Sequence, residues 1–240
     1  MADGQLRKEE PRRNILLRAR EVGRRPFHGG DWLFRHQSCA VGAGDTIGLT
    51  GAIGCGKTLL LRSLAMIDPV DEGVIEWQGE PVAGSLVPRF RAQVIYLHQS
   101  AVLFSGTVEE NLRHPFQLNA HRHESFQRQV ALRWLSEAGG DESMLHRPAR
   151  SLSGGERQVV AVVRAILLSP SVLLLDEPTA SLDAKTAHAV EELIVKWQRM
   201  DPLGRAYVWV THSRPGVSRI ADRLWTLESG KLEECLSHGE

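Results

Sequence analysis

Short apolar stretches of strand length alternate with longer amphipathic stretches over most of the chain. Strands are predicted at residues 14–20, 32–41, 46–50, 73–78, 93–97, 172–175 and 206–210, with a terminal piece at 224–232. Helices are predicted at residues 57–66, 108–112, 124–137, 154–168 and 184–200. The first two strands resemble an antiparallel sheet, whereas the later apolar strands alternate with helices and favour a parallel sheet covered on both faces.

Two parts of the chain fall outside this alternation. Residues 108–112 and 124–137 are predicted helices with no strand between them, so we expect a helical insertion at about residues 100–150. Residues 1–13 are charged and lack the apolar core of a signal peptide, so we expect a flexible tail there. Residues 14–240 are expected to form a single domain.

Composition narrows the function classes. The 240 residues are 42% hydrophobic and 24% charged, as in an ordinary globular domain. Because 29 Lys and Arg balance 29 Asp and Glu, no overall field favours nucleic acid, and no nucleic-acid partner is expected. Three scattered cysteines fit neither a disulfide framework nor a metal-ligand pattern. The longest apolar stretch, 159–168, is shorter than the roughly 20 residues that span a membrane.

A glycine-rich loop joins a predicted strand to a predicted helix. It reads Gly51, Ala52, Ile53, Gly54, Cys55, Gly56, Lys57 and Thr58. In this pattern the backbone N–H groups point at an anion, and the following helix adds its positive end. We expect Lys57 to reach the β- and γ-phosphates of a nucleotide and Thr58 to place its hydroxyl on Mg²⁺. Leu59 completes the predicted binding stretch, and Cys55 is interpreted as a small spacer rather than a redox switch.

Two carboxylates follow a predicted buried strand. Residues 172–175 are all apolar, and Asp176 and Glu177 come directly after them. Ligands of parallel sheets bind at the carboxyl ends of the strands. Asp176 therefore suits a Mg²⁺ ligand, and Glu177 suits the group that polarises an attacking water. Two acids could also be an ordinary strand end, but the upstream loop favours a joint phosphate site.

A five-residue stretch resembles the signature motif of ABC ATPases: Leu152, Ser153, Gly154, Gly155 and Glu156. Ser153 and the N–H groups of the two glycines would open a helix and form a second anion site, although a simple helix cap would use the same residues. In the family this site closes over the γ-phosphate held by a partner. The resemblance therefore implies a second ATPase subunit, as a homodimer, arranged head to tail around two ATP molecules.

Three further residues match motifs of the same family in chain order. Gln99, after the predicted strand 93–97, resembles the glutamine that touches Mg²⁺ and the attacking water. Asp183 resembles the acid of the loop that crosses the dimer interface. His212, after the strand 206–210, resembles the histidine that contacts the γ-phosphate. Each residue alone would be uninformative, but their order and context support the resemblance.

The base-stacking residue departs from the family pattern. The family places an aromatic side chain upstream of the glycine-rich loop, where this chain has Arg24 and Arg25. Phe27 is the best aromatic candidate nearby. We expect Phe27 or one of the arginines to stack on adenine.

The resemblance implies a P-loop NTPase α/β core with a mainly parallel sheet, an N-terminal antiparallel β subdomain and an inserted α-helical subdomain. It also implies an ATPase that uses ATP and Mg²⁺ and drives a separate membrane-spanning permease subunit, as a peripheral subunit on the cytoplasmic face of the inner membrane. Residues 103–117 resemble the ATPase of small bacterial exporters of iron or other metals. The alternative is a soluble ABC ATPase that acts on ribosomes or DNA or in cluster assembly.

Two sets of side chains in the insertion have open interpretations. Residues 101–104 and Phe116 either dock a helix of the membrane subunit or pack within the insertion. His114, His121 and His123 are interpreted as part of a solvated polar loop rather than a metal site, because no Cys or carboxylate framework accompanies them.

Overall fold

The described residues form two sheets with helices packed against them. The computed structural model describes residues 14–26, 29–211, 217 and 219–236, so the predicted tail at residues 1–13 lies outside the described residues. The strands are β1 (Ile15–Arg24), β2 (Phe34–Gly42), β3 (Thr46–Thr50), β4 (Glu72–Trp77), β5 (Glu80–Pro81), β6 (Val94–Leu97), β7 (Val172–Asp176), β8 (Ala206–Val210), β9 (Arg223–Glu228) and β10 (Lys231–Leu236). The helices are α1 (Lys57–Leu64), α2 (Leu86–Gln93), α3 (Val108–Arg113), α4 (Arg128–Glu137), α5 (Glu142–His146), α6 (Gly154–Leu167) and α7 (Ala184–Arg199).

The two sheets differ in strand direction. The smaller sheet has the order β2-β1-β4-β5, and its neighbouring strands are antiparallel. The larger sheet has the order β10-β9-β3-β8-β7-β6, in which every pair except β10–β9 is parallel. The predicted combination of an antiparallel sheet with a mainly parallel one is therefore present.

Strand β7 lies at the centre of the hydrophobic core. Its apolar side chains alternate between two core clusters, Val172 and Leu174 in one, Leu173 and Leu175 in the other, and all four are 0% exposed. A strand buried on both faces reads as a continuous apolar run because neither face meets water. Asp176, the last residue of β7, therefore lies at the carboxyl end of a strand that is packed on both faces.

Several elements differ from the sequence-based prediction. Helix α2 was not predicted because it contains Pro88; it is held by Phe90, which is fully buried and meets Trp77 edge to face at 6.3 Å. The terminal piece predicted at 224–232 is the β9–β10 hairpin, with positive φ angles at its turn. Helix α4 begins at Arg128, four residues later than predicted. That residues 14–240 form a single domain stays a prediction.

The predicted helical insertion contains α3, α4 and α5 between β6 and α6. Residues 101–104 alternate within it: Ala101 and Leu103 pack against the core, whereas Val102 is 74% and Phe104 53% exposed. Phe116 packs on Phe126 with ring centroids 5.8 Å apart, as internal packing requires. Ala101, Leu103 and Phe116 therefore pack within the insertion, and docking of a membrane subunit stays a prediction for Val102 and Phe104.

The expectation of a solvated histidine loop is wrong for one member. His121 is only 4% exposed, and its Nδ1 lies 3.1 Å from Glu124 Oε1. His114 stacks on Phe104 with ring centroids 4.5 Å apart. Tertiary packing of the insertion, which spacing along the chain does not reveal, buries His121.

Among the residues described here, no helix is both long enough and apolar enough to cross a membrane.

Candidate functional site

The glycine-rich loop lies between β3 and α1, as predicted. Gly54 and Gly56 have φ angles of 77° and 103°, which turn the backbone as a phosphate cradle requires. At Gly51, with a φ of 146°, a Cβ atom would lie 2.2 Å from the carbonyl oxygen of Leu227 at the end of β9. Only glycine fits there, because the loop packs directly against the neighbouring strand.

Lys57 is folded back into the loop. Its side chain is buried, and Nζ donates to the carbonyl oxygens of Gly51 at 3.0 Å and Ala52 at 2.9 Å. Its third donor approaches Cys55 Sγ at 4.0 Å, a weak acceptor that a phosphate oxygen could replace. The loop thus holds a positive charge at the helix N-terminus, where an anion is also stabilised by the helix dipole.

Asp176 is held by two hydroxyl groups. Thr58 Oγ1 donates to Asp176 Oδ1 at 3.1 Å, and the Tyr96 hydroxyl donates to Oδ2 at 2.8 Å. Asp176 is only 3% exposed. Burial, together with the hydrogen bond to Asp176, raises the pKa of Tyr96 well above its ordinary value, so its hydroxyl stays a donor. Hydroxyl and carboxylate oxygens are the ligands that Mg²⁺ takes in proteins, so Thr58 and Asp176 fit this ion.

Gln99 and Glu177 are brought together by strand register. Leu97 of β6 pairs with Leu175 of β7, so the residues two positions further on emerge side by side. Gln99 Nε2 lies 3.4 Å from Glu177 Oε2. Glu177 has a φ of 48°, a left-handed conformation that costs a non-glycine residue about 1–3 kcal/mol and recurs at functional sites.

A cleft of about 450 Å³ lies between the glycine-rich loop, the start of α1 and Glu177. It is lined by Ile53, Gly54, Gly56, Lys57, Thr58, Leu59, Arg62, Asp68 and Glu177. Arg62 and Asp68, which form a two-bond ion pair at 2.7 and 2.9 Å, were missing from the predicted set. The position of Arg62, one helical turn after Thr58 on α1, is the signal that could have identified it. Tyr96 was missed because only strand pairing places it beside Asp176.

The signature stretch opens on a different cleft. This second cleft, of about 250 Å³, is lined by Ala138, Gly139, Gly140, Asp141, Ser143, Met144, Arg147, Ser153, Glu156, Val159 and Thr186. It shares no lining residue with the first cleft. One chain therefore carries a phosphate cradle and a second helix N-terminus in separate places.

Ser153 caps helix α6 through a reciprocal pair of bonds with Glu156. The Glu156 N–H donates to Ser153 Oγ at 3.2 Å, and Glu156 Oε2 accepts from the Ser153 N–H at 2.7 Å. Hydrogen bonds from Arg147, and from the Ser153 N–H, hold the pKa of Glu156 at about 2.

Asp183 caps helix α7. Its Oδ1 accepts from the N–H groups of Lys185 and Thr186 at 3.1 and 3.0 Å, and its Oδ2 accepts from Thr186 Oγ1 at 2.7 Å. The Thr186 hydroxyl and N–H keep the pKa of Asp183 below its usual value. Thr186 also lines the second cleft. Asp183 therefore lies next to α6, the helix that begins within the signature stretch and is called the signature helix below.

Two predicted site residues, Phe27 and His212, lie outside the described residues. The two arginines proposed as alternatives to Phe27 are already engaged. Arg24 pairs with Asp71 at 3.2 Å, and the guanidinium of Arg25 lies 4.2 Å from the ring centroid of Trp32. The identity of the base-stacking residue stays a prediction.

Comparison with solved structures agrees with this fold. The chain superimposes on the ATP-binding cassette MJ0796, solved as a dimer bound to ADP and Pi, with a TM-score of 0.80, 24% identity, and coverage of 94% of this chain and 100% of that one. CbiO1 from Clostridium perfringens, part of the ABC transporter complex CbiONQ, gives a TM-score of 0.78 at 21% identity, with coverage of 93% and 89%. These likenesses confirm the predicted α/β P-loop fold.

Sequence comparison identifies the family. The ABC transporter family profile matches residues 34–180. The chain is 32% identical to the probable iron export ATP-binding protein FetA of Escherichia coli, covering 92% of this chain and 95% of FetA. It is 32% identical to the tungstate uptake system ATP-binding protein TupC of Peptoclostridium acidaminophilum, with 87% and 93% covered, and 34% identical to protein STAR1 of Oryza sativa subsp. japonica, with 93% and 63% covered. The chain therefore belongs to the ABC transporter family, as an ATP-binding ATPase subunit.

Proposed function

We propose that two copies of this chain close head to tail around two ATP molecules and that hydrolysis drives a separate membrane-spanning subunit. The observation that carries this proposal is the separation of the two clefts. The cradle with Lys57 holds one set of phosphate donors, and Ser153 opens the helix that offers the other set. Because the two sets line different clefts of one chain, a second copy is needed to bring them onto one nucleotide.

Gly154 supports an approach from outside the chain. It is the first residue of α6, and a Cβ atom there would meet nothing closer than Arg157 Nη2 at 4.0 Å. Alanine would therefore fit, and it is the better helix former by up to about 1 kcal/mol in a helix interior. Nothing within the described fold requires glycine at this position. A phosphate brought by a partner, which needs close access to the backbone N–H, would require it.

The proposed chemistry is the transfer of the γ-phosphoryl group of ATP to water, which gives ADP and inorganic phosphate. Lys57 and the loop N–H groups bind the phosphates, while Thr58, Asp176 and Gln99 would hold Mg²⁺. When bound, Mg²⁺ neutralises charge on the phosphate oxygens. Glu177 orients the attacking water and accepts its proton.

Gln99 assists Glu177 in positioning that water, given the 3.4 Å between their side chains. From the family resemblance, His212 contacts the γ-phosphate. Asp183, the cap of α7 beside the signature helix, would lie at the dimer interface.

Val102 and Phe104 are proposed as the docking face for the membrane-spanning subunit, at the cytoplasmic side of the membrane. Both are exposed apolar side chains, and they follow Gln99 in the chain. A movement of Gln99 on ATP binding would therefore shift the docking face. This short path from site to surface supports the coupling of hydrolysis to transport.

For the cargo, we propose export of a metal such as iron. Its support is the likeness to FetA over 95% of that protein's length, together with the loose similarity noted in residues 103–117. Other relatives are named for tungstate uptake and nickel import, so the proposed direction of transport rests on the FetA likeness and on residues 103–117. Copurification of the membrane subunit, followed by metal measurements in cells lacking either protein, tests this assignment.

The central test is Glu177→Gln. We expect this variant to bind ATP with unchanged affinity, to lose at least about 100-fold in turnover, and to accumulate as an ATP-dependent dimer, because only proton acceptance is removed. Lys57→Ala should instead weaken nucleotide binding itself. Glu137→Gln, at an exposed carboxylate that pairs with Lys196 and lines neither cleft, is the matched control. Turnover of Glu177→Gln at the rate of this control would refute the assignment.

A further inference from the structure

The proposed signature site contains a negative charge that needs an explanation. Glu156 is the third residue of α6, in the same turn whose N–H groups are proposed to meet the partner's γ-phosphate. Acidic residues suit helix N-termini, but a carboxylate beside a bound phosphate repels it. Some group must offset this charge if the site is to bind an anion.

Arg147 is placed to offset it. Its guanidinium makes two bonds to the carboxylate, from Nη1 to Oε1 and from Nη2 to Oε2, the second at 3.2 Å. Both oxygens of Glu156 are thereby covered, since Oε2 also accepts from the Ser153 N–H. A two-bond pair of this geometry fixes the carboxylate as well as neutralising it.

Arg147 reaches Glu156 from outside the signature helix. It follows α5 directly and also donates to the carbonyl oxygen of Ser151 at 3.4 Å. Asp141 also lines the second cleft and acts electrostatically on Arg147, but its Oδ1 already accepts from Ser143 Oγ at 2.5 Å and from the Met144 N–H at 3.2 Å. Glu156 is therefore the carboxylate that Arg147 binds directly.

The ion pair between Arg147 and Glu156 contributes little to the stability of the fold. The side chains of Arg147 and Glu156 are 39% and 35% exposed, and ion pairs with this much solvent access stabilise a fold only slightly. An effect on phosphate binding would be much larger, because repulsion acts at close range in a site from which the dimer excludes water.

We propose that Arg147 is a positioning residue that neutralises Glu156 and so keeps the N-terminus of α6 able to bind the γ-phosphate held by a second copy of this chain. This inference rests on the proposed head-to-tail dimer. Arg147 acts through Glu156 and does not itself contact nucleotide. The inference predicts that loss of Arg147 weakens the dimer because the charge of Glu156 is then no longer neutralised.

The experiment measures ATP-dependent dimerisation in the Glu177→Gln background by analytical ultracentrifugation. Arg147→Gln should weaken the dimer at least about tenfold at saturating ATP, while ATP affinity of the monomer stays within about twofold. The double variant Arg147→Gln with Glu156→Gln should recover at least about fivefold of that loss, because the exposed charge is gone. Arg147→Lys, which keeps the charge, should retain most of the dimer.

A matched control separates this effect from a general loss of packing. Arg128→Gln removes ion pairs to Glu142 and Glu109 in the same helical insertion and should leave the dimer unchanged. If the double variant stays as weak as Arg147→Gln, the pair is only structural and the inference is overturned. An unweakened Arg147→Gln dimer also overturns it. A Glu177→Gln parent with no ATP-dependent dimer would overturn the proposed function, and this inference with it.

Discussion

Removing the hydroxyl of Tyr96 tests the geometry around Asp176 most directly. Tyr96→Phe deletes one oxygen atom and leaves the ring in place, so packing is conserved. Asp176 Oδ2 then loses a donor that lies 2.8 Å away. The carboxylate is only 3% exposed, so water cannot readily take the donor's place.

The expected cost follows from the charge on the acceptor. A hydrogen bond to a charged group contributes about 1.5–3 kcal/mol, whereas a neutral one contributes about 0.5–1.5 kcal/mol. For a chain of this size, 1 kcal/mol shifts Tm by about 2–4 °C, so Tyr96→Phe should lower Tm by roughly 3–12 °C in the absence of nucleotide.

Tyr207→Phe is the matched control. Tyr207 is buried, whereas Tyr96 is half-buried, and the Tyr207 hydroxyl donates to the neutral carbonyl oxygen of Ile220, which lines neither cleft. Thermal and urea unfolding of both variants should show the larger loss for Tyr96→Phe. Mg²⁺ with ADP should narrow the stability deficit of Tyr96→Phe relative to ADP with EDTA, because a cation then lies beside the Asp176 carboxylate that has lost its donor. Equal losses in the two variants, or no response to Mg²⁺, would show that Tyr96 does not support Asp176.

Two further predictions concern the surfaces that face partners. Gly154→Ala should leave the free energy of unfolding unchanged or raise it by up to about 1 kcal/mol, since the added methyl group has room, yet weaken the ATP-dependent dimer at least about tenfold. Gly155→Ala is the contrast: its Cβ atom would lie 3.0 Å from Thr186, so this variant should lower the free energy of unfolding. A Gly154→Ala variant that dimerises normally would contradict the proposal. Phe104→Asp should abolish copurification with the membrane subunit while ATP affinity changes less than about twofold, and retained copurification would exclude this docking face.

The sequence by itself determined the local parts of the site. Strands β3 and β8 have the predicted bounds, and the cradle and signature helix begin where their residue patterns indicate. These features depend on contiguous residues: glycines that permit positive φ, a serine that caps the next turn, and apolar runs that must be buried. Such properties are fixed by the backbone and by neighbours in the chain.

Only the tertiary structure decided which distant side chains support the site. Tyr96 reaches Asp176 because β6 pairs with β7 in one register, and a shift of one residue would turn its side chain to the other face. Arg147 meets Glu156 because a turn after α5 brings it back to α6, and His121 is buried by the fold of the insertion. These contacts join segments whose approach depends on the packing of the whole core, which no local pattern encodes.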